Sequence, residues 1–127
     1  MFILNNNFFE YDGYALCGTR GWFFEEEKGN DHDAKILRRE LMRLETSLKA
    51  AGDREKLVFL HYPPLTCSAV CREITDVLSR ENIERGFYGH LHGYSVNSAF
   101  NGRHEGTDFR LISSDYLKFC PVLIEKQ

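Results

Sequence analysis

The chain has 127 residues, with 16 Lys and Arg against 19 Asp and Glu, for a formal net charge of −3. That length sets an expectation of one domain, and the faint acidity argues against a nucleic-acid binder, which carries a basic excess and a basic patch. No apolar run reaches the ~18–20 residues that cross a bilayer, and the start from Met1 to Asn7 lacks the basic and long apolar regions of a secretion signal.

The first residues read as short strands and polar turns. Phe2-Ile3-Leu4 is an apolar run, Asn5 to Asn7 a turn, and Phe8-Phe9-Glu10 a second strand. Asp12-Gly13 is a strong hairpin turn leading into Tyr14-Ala15-Leu16-Cys17. Gly18-Thr19-Arg20-Gly21-Trp22 follows as a glycine-punctuated loop, and residues 25 to 33 as a charged one. A helix is expected from about Asp33 to Ala51, because Leu37, Leu41, Leu44, Leu48 and Ala51 recur at steps of four and three. Asp31 or Asp33 can cap it, and Gly52 stops it.

Leu57-Val58-Phe59-Leu60 is a continuous apolar run, suited to a strand covered on both faces. It ends at His61-Tyr62-Pro63-Pro64, where two prolines forbid further pairing. A second helix is expected over roughly Ser68 to Ser79, with Ser68 as cap and Val70, Ile74, Val77 and Leu78 as its apolar face. Gly86-Phe87-Tyr88 reads as a strand, and two more are expected near Phe109–Ser113 and Leu117–Ile124. Asn101 to Gly106, with His104, reads as an exposed turn. Helices alternating with buried strands define an α/β fold.

The four cysteines, at 17, 67, 71 and 120, read as reduced and mostly buried thiols of a cytoplasmic protein. Cys67 and Cys71 lack the second Cys/His couple that a zinc site requires. The histidines say more. His61 follows one apolar strand, and His90 and His92 follow another, where α/β sheets gather their ligands. Neutral imidazole suits Zn, Fe or Mn-type ions, so this placement points to metal binding. Arg20, flanked by glycines, could grip a phosphate with its guanidinium fork, or serve only as a turn residue.

His61-Tyr62-Pro63-Pro64 and Tyr88-Gly89-His90-Leu91-His92-Gly93 resemble the last two metal-binding motifs of the calcineurin-like metallophosphoesterases. Gly18 to Trp22, the run Arg39 to Glu45, and Ser114 to Phe119 resemble one bacterial branch of that superfamily. The resemblance implies the C-terminal half of a four-layer αββα sandwich with mixed sheets, so that residues 1–127 are a partial phosphoesterase domain. In the complete domain two divalent ions, Mn, Fe or Zn, activate a hydroxide that attacks phosphorus in line. Carried over by motif, His61 and His90 would ligate one ion and His92 the other, with Arg20 as a candidate phosphate contact.

The family's Asp-x-His, Gly-Asp-x-x-Asp and Gly-Asn-His-Asp/Glu motifs are not found in these residues. Gly29-Asn30-Asp31-His32-Asp33 imitates the last of them, yet it follows a charged run instead of a buried strand and reads as a loop and helix cap. At most one ion is therefore expected here. The chain alone is expected to be inactive or weakly active, with a phosphate ester as substrate once an N-terminal half completes it. A sheet face shaped for an absent partner would favour self-association. The alternatives are a non-catalytic module holding a single metal, and a degenerate or split partner that binds nothing.

Overall fold

The computed structural model describes residues 7–22, 31–113 and Leu117. Strands β1 (Phe8–Tyr11), β2 (Tyr14–Thr19), β3 (Glu55–Leu60), β4 (Arg85–Tyr88), β5 (Gly102–His104) and β6 (Thr107–Leu111) form a six-stranded sheet. Its order is β1-β2-β3-β4-β6-β5. The strands β2, β3, β4 and β6 run parallel, and β1 and β5 flank them antiparallel. Helices α1 (Asp31–Ala51) and α2 (Arg72–Arg80) are the crossovers between β2, β3 and β4. Right-handed crossovers that step in one direction across a sheet put their helices on the same face. The fold is α/β, with a mixed sheet.

Strand periodicity divides the apolar residues between the two faces. Ala15, Cys17, Val58, Leu60, Tyr88, Phe109 and Leu111 meet Leu44, Leu48, Ile74 and Leu78 of the helices in the main core. Each such leucine or isoleucine contributes about 1.5–3 kcal/mol by leaving water. On the opposite face, Tyr14, Leu57 and Phe87 are buried and Leu16, Phe59 and Ile112 pack half-buried around them. No residue of α1 or α2 belongs to that cluster. Phe59 and Phe87 stack there with centroids 5.1 Å apart.

Local chemistry explains where the elements depart from the sequence reading. Strand β2 continues through Gly18 and Thr19, which were expected to open a loop. A β-carbon on Gly18, whose φ is +155°, would overlap the carbonyl oxygen of Phe59 on the neighbouring strand. Only glycine permits the two backbones to lie so close. Helix α1 starts at Asp31, so His32 occupies its exposed first turn. Its buried stripe also includes Glu40 and Ser47, while Leu41 is only half-buried.

Helix α2 begins later than expected, and Ser68 does not cap it. The Thr66 hydroxyl accepts the backbone N–H groups of Ser68 and Ala69, holding a tight turn in place of a first helical turn. Cys71 stands at the cap position without a side-chain cap bond, and Val70 is left 44% exposed. Asn101–Gly106 is also more than a turn. Glu105 and Gly106, both at positive φ, close a hairpin between β5 and β6 with the same chemistry as Asp12-Gly13. His104 lies half-buried in β5, its ring edge-on to Phe100 at 6.3 Å. Strand β6 ends at Leu111, two residues short of the expected end. The expected strands at Phe2–Leu4 and Leu117–Ile124 lie outside the described residues, apart from Leu117 itself, which is in a turn. Among the described residues no helix is long and apolar enough to cross a membrane.

Candidate metal and phosphate site

Parallel register builds this site. Thr19 pairs with Leu60, Leu60 with Tyr88, and Tyr88 with Leu111. The next residues, Arg20, His61 and Gly89, therefore leave the sheet side by side at its carboxyl edge. Backbone bonds join the departing segments. The Arg20 carbonyl accepts the N–H groups of His61 at 3.1 Å and Tyr62 at 2.9 Å. The Gly89 N–H lies 3.2 Å from the Leu60 carbonyl and 3.1 Å from that of His61.

His90 follows at φ +70°, a left-handed conformation that costs a non-glycine residue about 1–3 kcal/mol and marks a constrained site. Leu91 is buried and anchors the loop between the two histidines. Beyond His92, the Ser95 hydroxyl accepts the His92 N–H at 2.8 Å and donates to its carbonyl at 2.6 Å, fixing the start of the 3-10 segment Gly93–Ser98. That segment is tied back to the loop after β3, where the Cys67 N–H donates to Ser98 at 2.9 Å.

Among the sequence-predicted site residues, His61 and His90 come face to edge, with ring centroids 5.3 Å apart. Tyr62 lies 4.7 Å from each ring, and Trp22 stands edge-on to Tyr62 at 5.3 Å. Partial burial pushes the His61 pKa below the usual histidine value, and the neighbouring charges of His90, His92 and Arg20 add to the shift in that order. His92 is thus within electrostatic reach of His61. A neutral imidazole at neutral pH is the form that binds a metal.

The Arg20 guanidinium lies 5.1 Å over the Trp22 ring and 3.7 Å from the Glu40 carboxylate through Nε. Glu40 is the residue the sequence reading missed. Its side chain is fully buried on α1, where it accepts Thr19 Oγ1 at 3.2 Å and Arg43 Nη1 at 2.8 Å. A helical wheel carries the signal: Glu40 falls three residues after Leu37 and four before Leu44, in the middle of the apolar stripe.

No family model matches the chain, and neither a curated protein nor a solved structure shows significant similarity to it. The donor set itself indicates what the edge could hold. Among the described residues, no group of three or more His, Cys, Asp and Glu side chains is gathered for an ion. A two-metal centre needs a bridging carboxylate and several further ligands. The described residues do not fit that centre. A single ion would find the imidazoles of His61 and His90 and take its remaining ligands from solvent.

Proposed function

We propose that this chain supplies the histidine and phosphate-binding side of a metal-dependent phosphoesterase site, of the calcineurin-like kind that its motifs resemble. The observation that supports the reading is the convergence of Arg20, His61 and His90 at one sheet edge, from three strands distant in sequence. In this reading Arg20 binds phosphate oxygens, His61 and His90 hold a single Mn-, Fe- or Zn-type ion, and Tyr62 packs against both imidazoles. His92 would join a second ion only where carboxylates from outside these residues complete the centre.

Among the described residues no carboxylates gather beside the histidines, which favours a second reading, a module that binds one ion or a phosphate group without turning it over. One experiment separates the two. The purified chain is given Mn²⁺ and an aryl phosphodiester, and metal binding is followed alongside hydrolysis. The proposal expects Mn²⁺ binding that His61→Ala and His90→Ala each weaken, with little or no turnover. Turnover abolished by His90→Ala would make the chain a phosphoesterase in its own right. Mn²⁺ binding unchanged by both substitutions would remove the metal site altogether.

A further inference from the structure

A fully buried carboxylate in the apolar stripe of a helix is expensive, and a leucine of similar size would pack there without desolvating a charge. Glu40 nonetheless occupies that place, and its contacts reach the candidate site. Oε1 accepts the Thr19 hydroxyl and faces Arg20 Nε, while Oε2 takes Arg43. Arg43 completes the neutralisation from within the same helix. Arg20 is fixed on three sides. Its backbone carbonyl is bonded to His61 and Tyr62, its Nε faces Glu40, and its plane covers Trp22. Trp22 is itself held, because its indole N–H donates to Asp33 at 3.0 Å.

The two terminal nitrogens of Arg20 have no hydrogen-bond or ion-pair partner among the described residues, and the side chain is 48% exposed. An arginine whose ε-nitrogen lies 3.7 Å from a buried carboxylate has its terminal edge left as a two-pronged fork. That edge matches two oxygens of a phosphate. A lysine could supply the charge there, but neither the fork nor an ε-nitrogen facing Glu40.

We infer that Glu40 is a positioning residue that holds Arg20 as a preorganised phosphate clamp beside His61 and His90. The inference rests on the phosphate-binding part of the proposed function and needs neither a metal nor turnover. Its ligand is a phosphoryl group, recognised in a geometry set before the ligand arrives.

The test is a titration of the metal-free full chain with inorganic phosphate, followed by ³¹P NMR or calorimetry. It uses the wild type, Arg20→Ala, Arg20→Lys, Glu40→Gln and the Arg20→Ala/Glu40→Gln double variant. Glu40→Gln keeps the size of the side chain and an acceptor for Thr19, and circular dichroism checks each fold. Arg20→Ala is expected to weaken phosphate about tenfold or more, and Arg20→Lys nearly as much, the loss of a charge-assisted hydrogen bond. Glu40→Gln is expected to weaken it about threefold in the wild type and not at all in the Arg20→Ala background.

A purely structural Glu40 would lower affinity equally in both backgrounds, and that result overturns the inference. Full rescue by Arg20→Lys overturns it as well, as does a wild type that binds no phosphate. Hydrolysis and Mn²⁺ binding are read separately. Phosphate binding that ignores Arg20 would therefore sink this inference while leaving the metal-binding part of the proposed function standing, and a chain without turnover leaves the clamp measurable.

Discussion

The two edges of the parallel sheet use charge in opposite ways. At the edge where β3 and β4 begin, a shallow cleft of about 220 Å³ is lined by Arg54, Glu55, Lys56, Glu81 and Glu84. Charges of both signs line it, and several are paired with neighbours around it. Arg54 pairs with Glu10, Arg80 with Glu45 at 3.3 Å, and the Lys56 ammonium donates to the Gly52 carbonyl. At the carboxyl edge the outward groups are a guanidinium and imidazoles, while Glu40 is drawn inward beneath them. A self-neutralised edge is a solvated surface. The other edge keeps cationic and imidazole groups turned outward, and carboxyl edges are where α/β sheets bind ligands.

The most severe way to break this contrast is to move β2 away from β3. Gly18→Ala forces a methyl group against the Phe59 carbonyl, and we expect a loss of about 3 kcal/mol or more from overpacking and backbone strain. Urea unfolding measures it, and a loss under about 1 kcal/mol would show that the strands can separate cheaply. Next in size is a matched pair of substitutions, one at each edge. Glu40→Ala leaves the buried Thr19 hydroxyl without its acceptor and should cost about 1–3 kcal/mol, since Arg20 and Arg43 can turn to water. Arg54→Ala removes an exposed pair and should cost less than about 1 kcal/mol. Equal losses at the two positions would erase the contrast.

Local chemistry made part of this molecule legible in its sequence. Asp12-Gly13 specifies its own turn, since both residues take positive φ, and Gly52 ends α1 as expected. The leucine spacing located α1, but the apolar stripe it defines did not include Glu40 and Ser47, which are buried. Their burial depends on partners far along the chain, with Ser47 accepting the Gly18 N–H and donating to the Asn7 carbonyl. Strand β5 was hidden because Gly102-Arg103-His104 has no apolar pattern, and only pairing with β6 makes it a strand. The histidines could be assigned to strand ends from sequence. That His61 and His90 meet, and that Arg20 leaves the sheet beside them, follows from parallel register, which no local pattern encodes.

A smaller effect separates the edges by pH. The folded state disfavours protonation of His61 relative to an ordinary histidine at 6.5. Its contribution to stability is therefore whole above that value and is lost as pH falls through it towards the lower folded-state pKa. Imidazole NMR titration should place His61 below 6.5, and His61→Gln should flatten part of the fall in urea midpoint on acidification. His90→Ala should raise the His61 pKa more than Arg20→Ala does, following the order of their influence. A His61 that titrates at or above 6.5 would mean that neither burial nor the neighbouring charges act on it as the fold implies.

The smallest effect changes no stability and concerns the thiols near the carboxyl edge. Cys67 is exposed in the loop after β3, where its thiol donates to the Ala99 carbonyl at 3.2 Å. Cys71, four residues on, is pushed up to about 12, chiefly by burial, and Glu73 beside it adds to the shift. Burial likewise raises Cys17, which lies in β2 under α1. Thiolate is the reactive form, so proximity in sequence should not produce similar reactivity. Peptide mapping after brief iodoacetamide treatment at neutral pH should find Cys67 modified well before Cys71 or Cys17. Urea should abolish the difference, because it is burial in the fold that raises the Cys71 and Cys17 thiols. Equal labelling of Cys67 and Cys71 in the native chain would mean that the start of α2 opens readily, and the loop joining β3 to α2 would then be too loose to hold His61 against His90.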